Sequence, residues 1–180
     1  MLKITIPETQ KWDEEHEVFI TSESQSLCLE HSLVSLSKWE EKWHKYFIGN
    51  DSLTNEELVD YIRCMTITQN VDPEIYYAID DKVMKEITDY INDPHTATWF
   101  NDNKNQKPNR EVITSEIIYY WMIALQIPFE CQKWHLNKLL TLIRVCNEKN
   151  APNKKRSRSE ILSENRKLNE ARKKMHHTHG

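Results

Sequence analysis

Two pairs of cysteine and histidine carry the types of side chain that bind zinc. Cys28 precedes His31 by three residues and Cys131 precedes His135 by four, so each pair shares one face if its segment is helical. Two thiolates and two imidazoles satisfy tetrahedral Zn²⁺. However, the pairs lie far apart in the chain, neither spacing is that of a zinc finger, and cysteines are often buried without metal. The sequence therefore predicts no metal site and no cofactor.

The second of these pairs is also the best candidate for a catalytic nucleophile and its base. Cys131 and His135 can touch on a helix, but no serine or cysteine hydrolase pattern surrounds them. Paired carboxylates such as Glu40 and Glu41 are adjacent in sequence, and adjacent side chains on a helix diverge rather than flank one bond. The sequence thus predicts no catalytic residues, and we do not expect an enzyme.

An aromatic run in the first third of the chain is the best candidate for a partner-binding site. Trp39 and Trp43 are spaced to stack on a helix, and Tyr46 and Phe47 follow them. Tryptophan and tyrosine are enriched among interface hot spots. A second interpretation, which the sequence favours, is that this helix packs its tryptophans into the core. We predict all four residues as partner-binding and leave both interpretations open.

Charge is divided unevenly along the chain, whose overall net charge is −4. Residues 1–150 hold 15 Lys and Arg against 25 Asp and Glu, a net charge of −10, whereas residues 151–180 have a net charge of +6. A basic arm on an acidic body is typical of interaction segments. The arm contributes the candidate partner-binding residues Lys154, Lys155, Arg156 and Arg158. It lacks interleaved aromatic residues, so we expect it to bind an acidic protein surface, that of the chain itself included, rather than specific nucleic acid.

Glycine is almost absent, since the chain contains only Gly49 and Gly180. Phosphate-cradling loops need glycines at fixed spacing, so a Walker A loop and a dinucleotide fingerprint are excluded. The scarcity of glycine also favours helices over tight hairpins. No apolar run is long enough to span a bilayer, residues 1–3 do not open a secretory signal, and the scattered cysteines indicate reduced thiols of an intracellular protein.

The N-terminal residues are the one predicted exception to helical structure. Residues 2–6 alternate apolar and polar side chains, and residues 17–21 are β-branched and aromatic, which predicts a short β-hairpin. From residue 24 the apolar residues keep largely to a spacing of three and four; they are Leu27, Leu29, Leu33, Leu36, Trp39, Trp43 and Phe47. This spacing predicts an amphipathic helix that ends at Gly49.

Capping signals and apolar runs predict the remaining helices. Thr54 and Glu57 form a capping box, a short helical turn starts at Asp72-Pro73, and Asp80 caps a helix over residues 81–92. Residues 113–127 are the most apolar stretch and predict a central core helix. A further long helix over residues 134–145 is expected to form an antiparallel hairpin with it.

The predicted fold class is mainly α, a multi-helix domain with a short N-terminal β-hairpin and a C-terminal basic helical tail. Residues 1–149 are expected to form the acidic helical domain, and residues 150–180 a basic linker and a conditionally folded helix. Ser157 and Glu160 form a capping box for that helix. Its apolar stripe is thin, so it is not expected to be stable alone.

Several stretches in combination resemble proteins encoded in the morphogenesis modules of long-tailed bacteriophages. The resemblance is carried by residues 32–44, 60–66, 68–73, 96–100, 117–125, 128–137 and 139–147, and it covers most of the chain. Such proteins look like tail assembly chaperones, which coat the long tape-measure protein while tube subunits polymerise around it.

The resemblance implies a non-enzymatic role in the host cell cytoplasm. The implied partners are other phage proteins, the tape-measure or tail tube protein first among them, and self-association is also compatible. The alternative is a structural or accessory component of the virion, such as a head–tail joining or tail protein.

Overall fold

A computed structural model describes residues 1–13, 18–22, 24–100, 112–151, 162–163, 165–170 and 172. The chain divides into two compact units, Met1–Asn147 and Glu148–Gly180. The described residues are mainly helical, which confirms the helical class. No helix among them is long and apolar enough to cross a membrane. The predicted boundary between residues 149 and 150 stays a prediction.

The N-terminal strands form antiparallel pairs. They are β1 (Leu2–Ile6), β2 (Thr9–Asp13), β3 (Val18–Ser22) and β4 (Gln25–Leu29). β1 pairs with β4, and β2 pairs with β3. Ile6 is opposite Gln25, and Thr9 is opposite Ser22. Two residues of the chain lie between the two strand pairs on each side, so the register continues from one pair to the other. The predicted hairpin exists, but its predicted strand pairing is wrong, because residues 2–6 pair with β4 instead of β3.

β4 also corrects the predicted start of the first helix. Leu27 and Leu29 are two residues apart, so on a strand both point to one face, where they are buried with Ile4 and Ile6. Ile4 lies directly opposite Leu27 across the ladder. A spacing of two is a strand signal, and cross-strand apolar contact stabilises it here.

The helix that contains the tryptophans, α1 (Leu33–Trp43), starts later and ends earlier than predicted. The Ser32 hydroxyl accepts from the Ser35 amide, and the Ser35 hydroxyl accepts from the Ser32 amide at 2.9 Å. His44 ends the helix in a left-handed conformation with φ 51°. Gly49, at φ 73°, therefore belongs to a following turn and does not end the helix.

The next elements follow their predicted caps. They are α2 (Asn55–Met65), a 3₁₀ helix (Pro73–Ala78) and α3 (Asp81–Asn92). The Glu57 carboxylate accepts from the Thr54 amide at 2.8 Å, and the Thr54 hydroxyl accepts from the Glu57 amide at 3.3 Å. Asp80 accepts from the Val83 amide at 2.7 Å. The predicted capping box, the turn after Asp72 and the bounds of α3 are confirmed.

The second half contains α4 (Ser115–Ala124), a 3₁₀ helix (Phe129–Lys133) and α5 (Leu136–Asn150). The predicted central core helix, α4, buries only one side, because Ile118 and Met122 have no exposed surface while Tyr120 and Ile123 are exposed. Its main helix contact is α1 rather than α5, so the predicted hairpin of α4 and α5 is not the principal packing.

α1 is central to the core of the first unit. It packs on α2, on α4 and on Phe129–Lys133, and Leu33, Leu36 and Trp39 have no exposed surface. The end of β4 is bonded to distant segments. The Ile67 amide donates to the Cys28 carbonyl at 2.9 Å, and the Leu136 amide donates to the His31 carbonyl at 2.9 Å.

In the second unit, residues 162–163, 165–170 and 172 are helical, and their side chains are exposed. The predicted linker and the capping box at Ser157 lie outside the described residues. So do the candidate partner-binding residues Lys154, Lys155, Arg156 and Arg158, which stay predictions.

Candidate protein-interaction surface

The two tryptophans of the predicted partner-binding run hold α1 against α2. Trp39 is fully buried, and its indole Nε1 donates to the Glu57 carbonyl at 2.8 Å. Trp43 is half-buried, and its Nε1 donates to the Asp60 carboxylate at 2.8 Å. Trp39 can therefore influence a partner only through the neighbours that it supports.

The other two aromatic residues of the run differ in exposure. Phe47 is half-buried and stacks on Tyr61 with ring centroids 3.8 Å apart. It also meets the Trp39 ring edge to face at 5.1 Å. Tyr46 is 39% exposed. Tyr46 is thus the residue of the predicted run that a partner can reach most directly.

Two buried carboxylates belong to the residues that these tryptophans contact. Glu57 and Asp60 are buried, and Lys45 and Lys42 form ion pairs with them, respectively. A buried carboxylate is costly unless it is paired and hydrogen-bonded. The hydrogen bond from Lys45 holds the pKa of the Glu57 carboxyl below its usual range. The Glu57 carboxyl is therefore charged at neutral pH, and the two ion pairs stabilise the packing around Trp39 and Trp43.

A cleft of about 510 Å³ lies beside Tyr46, between the end of α1 and the start of α4. Its lining includes Glu40, Glu41, Val112 and Glu116. Glu40 is buried, and its carboxylate accepts from the Ser115 amide at 2.7 Å. This contact satisfies an amide in the first turn of α4 and links that turn to α1. Glu41 and Glu116 are exposed, and the Lys45 ammonium in the lining is paired with Glu57, so the cleft presents negative charge to solvent.

The exposed side of α4 continues from this cleft. Glu116, Tyr120 and Ile123 are spaced by four and three residues and share one helix face, with Tyr120 66% and Ile123 62% exposed. Close by, Phe129 is 54% exposed, and its ring lies 6.5 Å from that of Tyr119. A surface helix normally places polar residues toward solvent. Grouped apolar side chains in that position mark interaction sites.

The structure brings together histidines from three segments. The His135 ring lies 5.0 Å from that of His31 and 4.0 Å from that of His95. His31 Nδ1 and the Tyr61 hydroxyl are 2.6 Å apart, and His135 Nε2 donates to the Tyr90 carbonyl at 3.0 Å. Burial lowers the pKa of His31 to about 3 and that of His135 to about 4, so both rings are neutral at pH 7.

Two of the four residues considered above as possible zinc ligands thus lie close together. His31 and His135 meet, but the described residues contain no group of three His, Cys, Asp or Glu side chains placed to hold a metal ion. All four cysteines are free thiols. Sequence periodicity could not predict the histidine cluster, because it depends on contacts between distant segments.

The sequence also missed the exposed face of α4. Its residues lie in an apolar run, which predicted a central core helix. No periodicity in the run marks this face, because apolar and aromatic residues occupy nearly every position of the helix.

Comparisons with models of protein families, with curated proteins and with solved structures find no match. Function must therefore be inferred from this chain's own residues.

Proposed function

We propose that the protein is a non-enzymatic tail assembly chaperone of a long-tailed bacteriophage, which binds the tape-measure protein in the host cytoplasm. The sequence resemblance supports this proposal. The observation that carries it is the exposure of large apolar side chains on several elements of an acidic body. They are Trp99 at 86%, Tyr120 at 66%, Ile123 at 62%, Tyr77 at 58% and Phe129 at 54%.

This surface suits a chaperone for physical reasons. A tape-measure protein that is not yet enclosed by the tube exposes apolar helical segments, which associate with one another unless a partner covers them. Exposed aromatic side chains on the chaperone supply the covering contacts. The net charge of −10 on residues 1–150 keeps the resulting complexes apart by repulsion.

The composition of phage particles tests the proposal against its alternative. We expect quantitative mass spectrometry to find the protein abundant in the lysate and absent from purified particles, because a chaperone leaves when the tail is complete. The tail tube protein in the same digests provides the positive control. A fixed copy number per particle would make the protein a virion component and overturn the chaperone role.

Co-expression with the tape-measure protein tests the surface itself. The double variant Tyr77→Ser and Trp99→Ser is expected to reduce the soluble fraction of the tape-measure protein by several-fold, since it removes exposed aromatic area. The matched control is Glu86→Ser and Asp89→Ser, which changes two exposed polar residues of α3. Equal losses in both variants would contradict an aromatic binding surface.

A further inference from the structure

The His135 ring is surrounded by rings from other segments of the first unit. Its centroid lies 4.0 Å from that of His95 and 5.0 Å from those of Tyr90 and His31. Its Nε2 donates to the Tyr90 carbonyl, so Nδ1 carries the lone pair of the neutral ring. That Nδ1 atom is buried and has no hydrogen-bond partner among the described residues. A proton that binds to His135 therefore has to settle on a nitrogen that no acceptor or water reaches.

The closest of these rings belongs to His95, in the chain that follows α3. The His95 side chain is 39% exposed, so it separates His135 from solvent on this side. Its backbone is left-handed, with φ 47°, and its amide donates to the Asp93 carboxylate at 2.7 Å. Residues other than glycine keep such a conformation only where surrounding contacts hold it. The contact between the two histidine rings therefore opposes a backbone strain.

Residues 94–99 lie between two attachments to α5. At one end, the Asn137 side-chain amide donates to the Asp93 carbonyl at 2.9 Å. At the other end, the Arg144 guanidinium lies over the Phe100 ring at 3.9 Å. Most side chains between these attachments are exposed. This stretch can therefore move without disturbing the core, as weakly packed surface segments do.

We propose that residues 94–99 form a lid on His135 that opens in acid, when His135 takes a proton, while the core of the first unit stays folded. A buried N–H without an acceptor is costly, and water supplies the acceptor once the His95 ring moves away. Opening also separates His135 from His95 when both are protonated, because two cationic rings 4.0 Å apart repel each other.

Burial is the main reason why acid favours the open lid. It lowers the pKa of His135 to about 4, and an open lid raises this pKa toward the ordinary 6.5. The closed state is therefore fully favoured above pH 6.5, and each pH unit between 6.5 and 4 shifts the balance toward the open state by up to about tenfold.

Other charged groups modify this response. The Met1 ammonium and His95 oppose a proton on His135, whereas the Asp93 carboxylate favours it. The Asp93 carboxylate also lies 3.9 Å from His95 Nδ1 and pairs with that ring when it is protonated. The remaining titratable groups around the cluster are His31, Tyr61 and Tyr90, with Glu30 and Cys28 near Tyr90.

The lid goes beyond the proposed function and does not depend on it. Trp99, which is 86% exposed, lies on the lid and belongs to the aromatic surface proposed to bind the tape-measure protein. If that contact exists, opening of the lid displaces it.

NMR of the full chain tests the lid directly. Between about pH 7 and about pH 4, the Cε1 proton shift of His135 measures its protonation, and nuclear Overhauser effects between the His95 and His135 rings measure closure. We expect these effects to disappear with the same midpoint as the protonation of His135, between pH 6.5 and 4. The Trp39 indole proton, which is bonded to the Glu57 carbonyl, reports the core and should keep its shift through that midpoint.

Two results of this titration would overturn the proposal. The first is a ring contact that persists after His135 is protonated. The second is a ring contact that disappears only together with the Trp39 indole signal, because the whole unit then unfolds instead of the lid opening.

Two histidines in left-handed conformations provide a matched pair of variants. His95→Asn removes the covering ring, and asparagine tolerates this conformation. The protonation midpoint of His135 should then rise by at least about half a pH unit, roughly a threefold gain in proton affinity. His44→Asn makes the same change at the exposed, left-handed end of α1 and should leave the midpoint unchanged. A midpoint that stays fixed in His95→Asn, or moves equally in both variants, would show that the lid does not cover His135.

Discussion

At the scale of single residues, the aromatic residues between Trp39 and Phe47 look equivalent in the sequence but differ in how far they are buried. Trp39 has no exposed surface and donates a hydrogen bond from its indole, whereas Tyr46 is 39% exposed beside a cleft. The i, i+4 spacing correctly indicated that the tryptophans stack, and their rings lie 6.3 Å apart. Spacing cannot reveal which neighbours cover a ring, because α2 supplies that cover from a distant part of the sequence.

We expect Trp39→Ala to lower the free energy of unfolding by about 3–5 kcal/mol, since it leaves a cavity and removes the indole hydrogen bond to the Glu57 carbonyl. Tyr46→Ala should cost less than about 1 kcal/mol, because much of its ring is already in water. Urea unfolding of the two variants measures the difference. Equal costs would contradict the division between core and surface.

His31 makes stability depend on pH. Burial, followed by the charges of His135 and His95, lowers its pKa to about 3, below the ordinary value of 6.5 that the unfolded chain retains. Between these values the unfolded state binds more protons, so stability is full above pH 6.5 and is lost as pH falls. At pH 5 the loss from His31 alone is about 2 kcal/mol, at about 1.4 kcal/mol per pH unit.

Urea unfolding at pH 7, 6 and 5 measures this slope. His31→Gln should roughly halve it, because the His31 ring is gone while His135, whose pKa is also lowered by burial, still titrates. The control His44→Gln should keep it, since His44 is exposed. A slope that persists unchanged in His31→Gln would show that other groups cause it.

At the scale of elements, the sequence predicted the helices whose N-terminal caps are residue types with a strong capping preference. Thr54, Glu57 and Asp80 placed the starts of α2 and α3 correctly. The start of α1 was missed because its capping box uses Ser32 and Ser35, and serine at the third helical position is a weaker signal than glutamate. The pairing of β1 with β4 was not predicted, because β2 and β3 lie between these two strands in the sequence and pair with each other.

The capping box of α2 allows a direct test. Thr54→Ala removes the hydroxyl that accepts from the Glu57 amide and is expected to cost about 1 kcal/mol. Thr54→Ser keeps a hydroxyl in the same position and should restore most of that loss. Thermal unfolding followed by circular dichroism compares the three proteins. If the serine variant is as unstable as the alanine variant, the hydroxyl is not what stabilises the helix start.

At the scale of the whole molecule, the core consists of residues from the first unit. The described residues of the tail are exposed. Removing residues 151–180 should therefore leave the melting temperature within about 2 °C of the full chain. Calorimetry of the truncated and full-length proteins measures the difference. A truncated protein that melts several degrees earlier would place the tail in the core.

The hydrogen bonds at the end of β4 carry a consequence for how the first unit opens. The Leu136 amide reaches the His31 carbonyl across roughly a hundred residues of chain, and the Ile67 amide reaches the Cys28 carbonyl across a much shorter loop. The first bond joins the start of α5 to the residues that follow β4, so it is released only when these two segments separate. The Leu136 amide should therefore exchange with deuterium more slowly than the amides of exposed turns, and its exchange rate reports the free energy of that separation.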